Sequence, residues 1–255
     1  MPKLIAGHTL VNYDENVSRV IIPNFVYSIA DKAFSERGNI KAVEMGASIT
    51  GIGNYAFRMC YGMREIVLPE EVEEFGVGVF ENCWALESVA LPSGVKRIDR
   101  DMFFECNALR DIFIPDSVSE IDATAFDQTP LLERLVISPA RLGILPASHR
   151  DLAVLTYMAE HSDDEPAEAD SSVLISEYAQ THGDTIMRLA IGHSNAGAIR
   201  YMIRASLIRS EQIAELVDLA ARLKNSEIVA MLIDEQDKLR AVGAEPAEEE
   251  WNPFA

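Results

Sequence analysis

Apolar residues recur along the first part of the chain in a template of 23 positions. Each copy starts with two apolar positions around one variable residue, and a second apolar pair follows after a corner. Each copy closes on a phenylalanine, and five of these stand at one constant interval: Phe34, Phe57, Phe80, Phe103 and Phe126. A fixed period of about 20–29 residues is typical of stacked coils, in which each coil is stable only against its neighbours.

Each copy of the template predicts two short strands. Apolar positions separated by a single residue point to the same side of a strand, so they predict an inward face. In the first strand these positions are Val20/Ile22, Val43/Met45, Ile66/Leu68, Val89/Leu91, Ile112/Ile114 and Leu135/Ile137. In the second strand they are Val26/Ile29, Ile49/Ile52, Val72/Phe75, Val95/Ile98 and Val118/Ile121. In four coils a proline follows the first strand, where it fixes the bend and needs no hydrogen-bond donor.

The two ends of the array differ from the template. Residues 1–16 carry no full copy, although Thr9–Tyr13 is predicted to be a strand, and we interpret them as an N-terminal cap. Such a cap shields the apolar edge of the first coil and its unpaired strand groups. At the other end, the apolar spacing from Arg150 to His161 predicts a helix that covers the last coil. The predicted solenoid, with this helix, extends over residues 17–160 and has about five to six coils.

Two stretches carry a family resemblance: Ile52–Cys60 reads IGNYAFRMC and Leu109–Ile121 reads LRDIFIPDSVSEI. They resemble the BspA-like leucine-rich repeats of bacterial and some protist surface proteins, and the resemblance covers about residues 17–146. It implies a curved, right-handed solenoid that is used for protein binding or adhesion. The resemblance carries no catalytic residue over to this chain.

The period changes after the solenoid. Residues 161–172 are acidic and small, which predicts a flexible linker. From 173 to 242 the spacing is helical, and Leu189–Ile203 aligns with Leu219–Ile233 at an offset of 30 residues. These two helix pairs, each with an asparagine at its turn, resemble ankyrin-type repeats, which implies a second protein-binding module. The predicted fold class is α+β: a β-rich leucine-rich-repeat solenoid followed by an all-helical, ankyrin-like module.

The last residues, 243–255, form an acidic sequence that ends in two aromatic side chains, Trp251 and Phe254. This composition is typical of a disordered terminus. The alternative interpretation is a short linear motif, in which the two aromatic side chains dock into an apolar groove of a partner protein. Both interpretations stay open at this point.

The charge of the chain excludes some classes of partner. The formal net charge is −19 at pH 7, and such a surface repels phosphate backbones and anionic lipid heads, so neither nucleic acid nor a membrane is expected as a partner. The sequence as given contains no apolar run of about 18 residues and no secretory signal. Three cysteines make no disulfide framework and fit a reducing compartment. We expect a cytoplasmic protein, or a cell-surface protein if the native N-terminus has been trimmed.

No catalytic, metal-binding or cofactor-binding residue is predicted. Cys60, Cys83 and Cys106 share one slot of three coils, so their Cα atoms are expected about 5 Å apart. Parallel side chains are unsuited to a disulfide, and three thiols lack the fourth ligand of a zinc site, so we predict buried thiols that act as small hydrophobes. Gly192–Ala196 imitates a nucleophile elbow, but it stands between predicted helices, and no histidine follows His193 to complete a triad.

The outward positions of the first strands form the candidate binding site. The residue between the two inward positions is apolar in five coils, namely Ile21, Val67, Ala90, Phe113 and Val136, and it is Glu44 in the remaining one. One interpretation is that β-forming residues simply suit a strand. The other is a protein-binding face centred on Phe113 and Val136.

These observations predict a non-catalytic, monomeric scaffold without a cofactor. It recognises a protein partner through the solenoid face, the helical module or both. The first alternative is a bacterial cell-surface adhesin whose signal segment is absent from the sequence. The second alternative is an enzyme whose site the motifs do not reveal.

Overall fold

The computed structural model describes residues 3–13, 16–163 and 170–243 of the chain. It divides into two compact units, of which the first ends at Thr156 and the second begins at Tyr157. The first unit starts with the hairpin of β1 (Lys3–Ala6) and β2 (Thr9–Tyr13). The first strands of the coils are β3 (Arg19–Ile21), β5 (Ala42–Glu44), β7 (Glu65–Val67), β9 (Ser88–Ala90), β11 (Asp111–Phe113) and β13 (Arg134–Val136). The second strands are β4 (Ser28–Ile29), β6 (Gly51–Ile52), β8 (Glu74–Phe75), β10 (Arg97–Ile98) and β12 (Glu120–Ile121).

Strands of neighbouring coils pair in parallel, one coil apart in the sequence. In the sheet of β3, β5 and β7, Val20 lies opposite Val43, and Val43 lies opposite Ile66. β9, β11 and β13 form a second sheet with the same register. In every first strand the middle residue is buried and its neighbours are exposed or partly exposed. The fold is therefore a β-solenoid with a 23-residue coil, as the period predicts.

The five phenylalanines form a ladder of stacked rings through the core of the solenoid. All five are at most 1% exposed. Ring centroids of successive coils lie 4.9–5.9 Å apart, with interplanar angles of at most 16°. Tyr13 extends the ladder before Phe34, at 5.1 Å, and His149 extends it beyond Phe126, at 5.5 Å. Stacked aromatic pairs contribute about 0.5–1.5 kcal/mol each beyond the area they bury.

The third side of the coils is a turn with left-handed residues at two positions, both of them in four coils and only the second in the fifth. The first position is occupied by Lys32, Tyr55, Gly78 and Asp101, and the second by Glu36, Met59, Asn82, Glu105 and Gln128. A left-handed backbone costs about 1–2 kcal/mol at any residue except glycine. The turn directs backbone N–H groups toward the next coil. The Lys32 N–H donates to the Asn54 carbonyl at 2.9 Å, and the Phe34 N–H donates to the Ala56 carbonyl at 2.8 Å. These hydrogen bonds between coils compensate for the strained backbone.

The N-terminal end of the solenoid is half a coil. β2 pairs with β4 in parallel, with Leu10 opposite Ile29, so the predicted cap belongs partly to the solenoid itself. The Tyr13 N–H donates to the Ala33 carbonyl at 2.9 Å, in the manner of a complete coil. β1 pairs antiparallel with the outer side of β2 and completes the sheet at this end.

The C-terminal end of the solenoid is covered by α1 (Ala147–Glu160), which follows a 3-10 helix (Pro139–Ile144). Thr156 Oγ1 of α1 accepts a hydrogen bond from the Leu135 N–H at 3.1 Å, a donor that would otherwise have no further coil to bind. The predicted capping helix thus begins three residues earlier than its pattern indicates, at Ala147.

Four helices make up most of the second unit: α2 (Asp170–Gly192), α3 (Ala196–Arg204), α4 (Ser210–Arg222) and α5 (Ser226–Gly243). α2 packs against α3 and α4, and α5 packs against α4 and α3, so one helix pair stacks on the next. α3 and α5 begin 30 residues apart, which is the offset seen in the sequence.

The asparagines at the two turns have different roles. Asn195 Oδ1 accepts a hydrogen bond from the Ala198 N–H at 3.0 Å and caps α3. Asn225 instead links the two turns, because its Nδ2 donates to the Ile191 carbonyl and its Oδ1 accepts from the Ser194 hydroxyl, both at 2.8 Å.

The structure also bears on the predicted connecting segments. α2 begins at Asp170, so the last three residues of the predicted linker are helical. Residues 164–169 lie outside the described residues, as does the predicted tail after Gly243. The predicted domain limits around them therefore stay predictions.

Candidate functional site

The outward positions of the first strands line one face of the solenoid, which we call the strand face. The exposed fractions are 62% for Ile21, 72% for Val67 and 50% for Phe113. Ala90 is exposed as well, and Val136 is partly exposed. The structure thus places these predicted residues in one register on the surface.

The parallel pairing of the first strands keeps these outward residues side by side. Ile21 lies opposite Glu44 and Glu44 opposite Val67, and in the next sheet Ala90 lies opposite Phe113 and Phe113 opposite Val136. Side chains in such a row are direct neighbours. The row is therefore an apolar stripe with one acidic member.

Charged side chains border this stripe. Arg19 pairs with Glu44 at 3.0 Å, and Arg110 pairs with Glu133 at 2.8 Å. These pairs are solvent-exposed, so each contributes only about 0–1 kcal/mol to stability. An apolar centre with a charged rim is the usual composition of a protein-binding patch.

An exposed aromatic pair lies at the corner before β7 and β9, and the sequence interpretation missed it. The rings of Tyr61 and Trp84 are 4.4 Å apart, and the side chains are 38% and 47% exposed. The two residues are 23 positions apart, so the repeat period could have revealed their contact. A Cβ at Gly38 would lie 3.1 Å from Tyr61 Cδ2, which shows how closely the Tyr61 ring covers that coil.

A hydrogen-bond chain holds the indole of this pair in place. Trp84 Nε1 donates to Asn82 Oδ1 at 3.2 Å, and Asn82 Nδ2 donates to Glu81 Oε1 at 3.2 Å. The same Glu81 oxygen accepts from Arg58 Nε at 3.1 Å. A fixed, exposed ring loses little conformational entropy on binding.

The three cysteines are free and buried, as predicted. Each thiol also donates to a carbonyl of the preceding coil at 3.2 Å, as Cys60 does to Phe34. Burial raises the pKa of Cys60 and of Cys106 to about 12, and it raises the pKa of Cys83 well above its ordinary value. The raised pKa favours the protonated thiol at neutral pH, whereas the reactive form of cysteine is the thiolate.

The other candidate motifs have structural roles. Ser194 lies in a turn between helices, and its hydroxyl donates to the Asn225 side-chain amide oxygen rather than to a base. His149 is the last ring of the ladder, and burial lowers its pKa although nearby Asp127 acts in the opposite direction. Within the described ranges, no group of three or more His, Cys, Asp or Glu side chains is placed to hold a metal ion.

The helical unit has a cleft of its own, about 240 Å³ in volume, between α2 and the segment joining α3 to α4. Its polar lining residues are Ser176, Gln180, Asp184, Ser206, Arg209 and Gln212. The lining contains one acidic and one basic side chain, so it favours neither an anionic nor a cationic ligand. Among the described residues, no helix has both the length and the apolar composition of a membrane span. Trp251 and Phe254 lie outside the described residues.

Comparisons with known proteins agree with this fold. Residues 8–133 match the family described as the BspA type leucine rich repeat region, in six copies. No curated protein sequence matches the chain.

Among solved structures, a leucine rich repeat protein of T. pallidum is 27% identical, with a TM-score of 0.50, over 53% of this chain and 64% of that one. A leucine rich cell surface protein of Faecalibacterium prausnitzii is 31% identical, with a TM-score of 0.49, over 50% of this chain and 34% of that one. The chain thus spans less than two thirds of the length of either structure.

The family match and the coil geometry cover the same part of the chain. The matched residues run from the turn before β2 to the residue before β13. Residues 8–133 therefore match the BspA type leucine rich repeat region in both sequence and coil geometry, in agreement with the sequence resemblance.

Proposed function

We propose that this protein is a non-catalytic scaffold that binds a protein partner through the strand face. The observation that carries this proposal is the exposure of Ile21, Val67 and Phe113, which occupy the same outward position in the first strands of their coils. Large apolar side chains contribute only part of their possible stabilisation to folding when half or more of their surface stays in water. A row of them with a charged border is the surface that a protein partner can bury.

The experiment is affinity capture from extracts of the native host with the intact chain and with Phe113→Asp. We expect Phe113→Asp to lose specific partners, because it places a charge at the centre of the stripe. Phe25→Asp is the matched control, since Phe25 is 52% exposed but lies between β3 and β4, off the strand face. Equal capture by wild type and Phe113→Asp, with circular dichroism unchanged, would remove the stripe as a binding surface.

The helical unit is the second part of this proposal. Its stacked helix pairs with a 30-residue offset support an ankyrin-like repeat module, and repeat units of this kind bind proteins. Ankyrin repeats have about 33 residues, so the units here are about three residues shorter. Neither unit needs a catalytic group for this function.

The BspA type match favours one further candidate, a cell-surface adhesin. In that case the same strand face would contact a surface protein of another cell. Immunoblotting of envelope and cytosolic fractions from the host tests this candidate directly. Detection of this protein only in the cytosolic fraction would exclude the adhesin function and retain the scaffold function.

A further inference from the structure

The first two coils are basic although the chain as a whole is acidic. Residues 19–64 extend from the start of β3 to the residue before β7, and they contain six basic and three acidic residues, a net charge of +3. The chain as a whole has a net charge of −19. The next coil, residues 65–87, contains seven acidic residues and no basic one. Two of the six basic residues are already paired, Arg19 with Glu44 and Arg58 with Glu81.

Lys41 and Arg64 are the centre of this basic surface. They occupy the same slot of successive coils, both are exposed, and the Arg64 N–H donates to the Lys41 carbonyl at 3.2 Å. In the equivalent slot further along, Arg110 is paired with Glu133. Neither Lys41 nor Arg64 forms an ion pair with any residue in the described part of the chain.

Lys41 and Arg64 directly precede β5 and β7, which pair in parallel, and two like charges side by side are destabilising. The next coil does place an acidic residue in this slot, Glu87, whose N–H donates to the Arg64 carbonyl at 3.1 Å, but no ion pair joins its carboxylate to Arg64 among the described residues. Both cations are exposed, so they remain open to a ligand that brings negative charge. Glu44, the acidic residue of the stripe nearest to this pair, is itself neutralised by Arg19 at 3.0 Å.

Apolar surface borders the cation pair on two sides. Val67 follows Arg64 by three residues on β7 and is 72% exposed. Tyr61 precedes Arg64 by three residues, which places their Cα atoms within about 10 Å of each other. Tyr61 stacks on Trp84, whose indole is held by Asn82. Along the chain, Arg64 therefore lies between the Tyr61–Trp84 aromatic pair and Val67, the stripe residue of β7.

We propose that the strand face of the first two coils accepts an extended acidic segment of a partner protein, with its carboxylates at Lys41 and Arg64 and an apolar side chain on the Tyr61–Trp84 rings. This inference rests on the proposed protein-binding function and specifies the chemistry of the partner. Glu65 begins the acidic third coil directly after Arg64, so the acidic segment is confined to the first two coils. A nucleic acid needs a longer basic track than these coils offer.

The test measures binding of a defined probe to the full chain by fluorescence anisotropy. The probe is a fluorescein-labelled peptide of twelve residues with the unit Glu-Glu-Leu-Pro repeated, and the control peptide has Lys in place of Glu. We expect the acidic peptide to bind at least about tenfold more tightly than the basic one at low ionic strength. Lys41→Glu and Arg64→Glu should each lower that affinity about tenfold, a loss of about 1.4 kcal/mol.

Lys96→Glu is the matched control for Lys41→Glu. Lys96 is an exposed lysine of the same solenoid without an ion pair to a described residue, but it lies next to a second strand, β10. The change in net charge is identical, so Lys96→Glu should alter the affinity less than about twofold. Equal losses in the two variants would overturn the proposal, because only the overall charge would then matter.

The position of the peptide is read from the intrinsic fluorescence of Trp84. The chain has two tryptophans, so Trp251→Phe leaves Trp84 as the single one. Saturating peptide should shift the Trp84 emission, and Tyr61→Ala should weaken binding several-fold. Unchanged emission at saturation would place the peptide elsewhere and overturn the proposal.

Two further measurements separate this inference from its alternatives. If Glu248→Gln, Glu249→Gln and Glu250→Gln together raised the peptide affinity tenfold, the acidic tail of the chain would be the occupant instead of a partner. If a twelve-residue oligothymidylate bound more tightly than the peptide, the occupant of this surface would be a nucleic acid. Loss of capture in Phe113→Asp together with no peptide binding would retain the proposed function and discard only the acidic segment.

Discussion

The phenylalanine ladder gives the sharpest prediction about stability, and Phe103→Ala is its test. Phe103 is 0% exposed, and its ring stacks on Phe80 at 5.6 Å and on Phe126 at 5.7 Å. Phe104, the next residue, lies on the same coil but is only partly buried and joins no ring stack. Phe104→Ala is therefore a control with identical chemistry.

The expected loss follows from what each ring contacts. Truncating a fully buried phenylalanine removes its transfer free energy and leaves a cavity, which together cost about 3–5 kcal/mol. Coils above and below are held by strand ladders, so they cannot close over the gap, and two stacked contacts of about 0.5–1.5 kcal/mol each disappear. We expect about 4 kcal/mol for Phe103→Ala, a similar value for Phe80→Ala, and less than about 2 kcal/mol for Phe104→Ala.

The assay is urea unfolding followed by the emission of Trp84 in the Trp251→Phe background, so that the signal reports on the solenoid. The midpoint should fall in Phe103→Ala while the slope with urea concentration stays constant. A free energy of unfolding within about 1 kcal/mol of that of Phe104→Ala would refute the ladder as the main support of the core.

Two further predictions concern titratable groups. Burial lowers the pKa of His149 below 6.5, so the unfolded chain binds a proton that the folded chain lacks, and stability falls as the pH drops below about 6.5. His149→Phe should flatten this dependence between about pH 5 and 7; an unchanged slope in urea titrations would contradict it. Because burial raises the pKa of Cys60 and Cys106 to about 12, iodoacetamide at about pH 8 should label the three cysteines only in urea. Mass spectrometry that found rapid labelling without urea would disprove their burial.

The sequence predicted most of the solenoid because the same 23-residue pattern occurs in every coil. One phenylalanine at a given position means little, but five at a constant interval leave a single register for the coils. The same period identified which side of each first strand faces inward. It also placed Ile21, Val67 and Phe113 on the surface, which the structure confirms by their exposure.

Some features carried a signal that the sequence interpretation did not use. His149 follows Phe126 by 23 residues, and Trp84 follows Tyr61 by 23 residues. Both pairs are in contact in the structure. The apolar template contains neither pair, because it describes only the apolar positions, whereas the 23-residue period applies to every residue type.

The sequence by itself determined the period, the inward face and the pairing of the helices, since each depends on spacing along the chain. The tertiary structure decided how the coils touch. The left-handed turns occur at residues as different as Lys32 and Met59 because hydrogen bonds to the next coil, and not local preference, hold them. The half coil of β2 follows no 23-residue spacing, and it becomes part of the solenoid only through its pairing with β4. The unpaired charges of Lys41 and Arg64 likewise depend on which side chains the neighbouring coils place within reach.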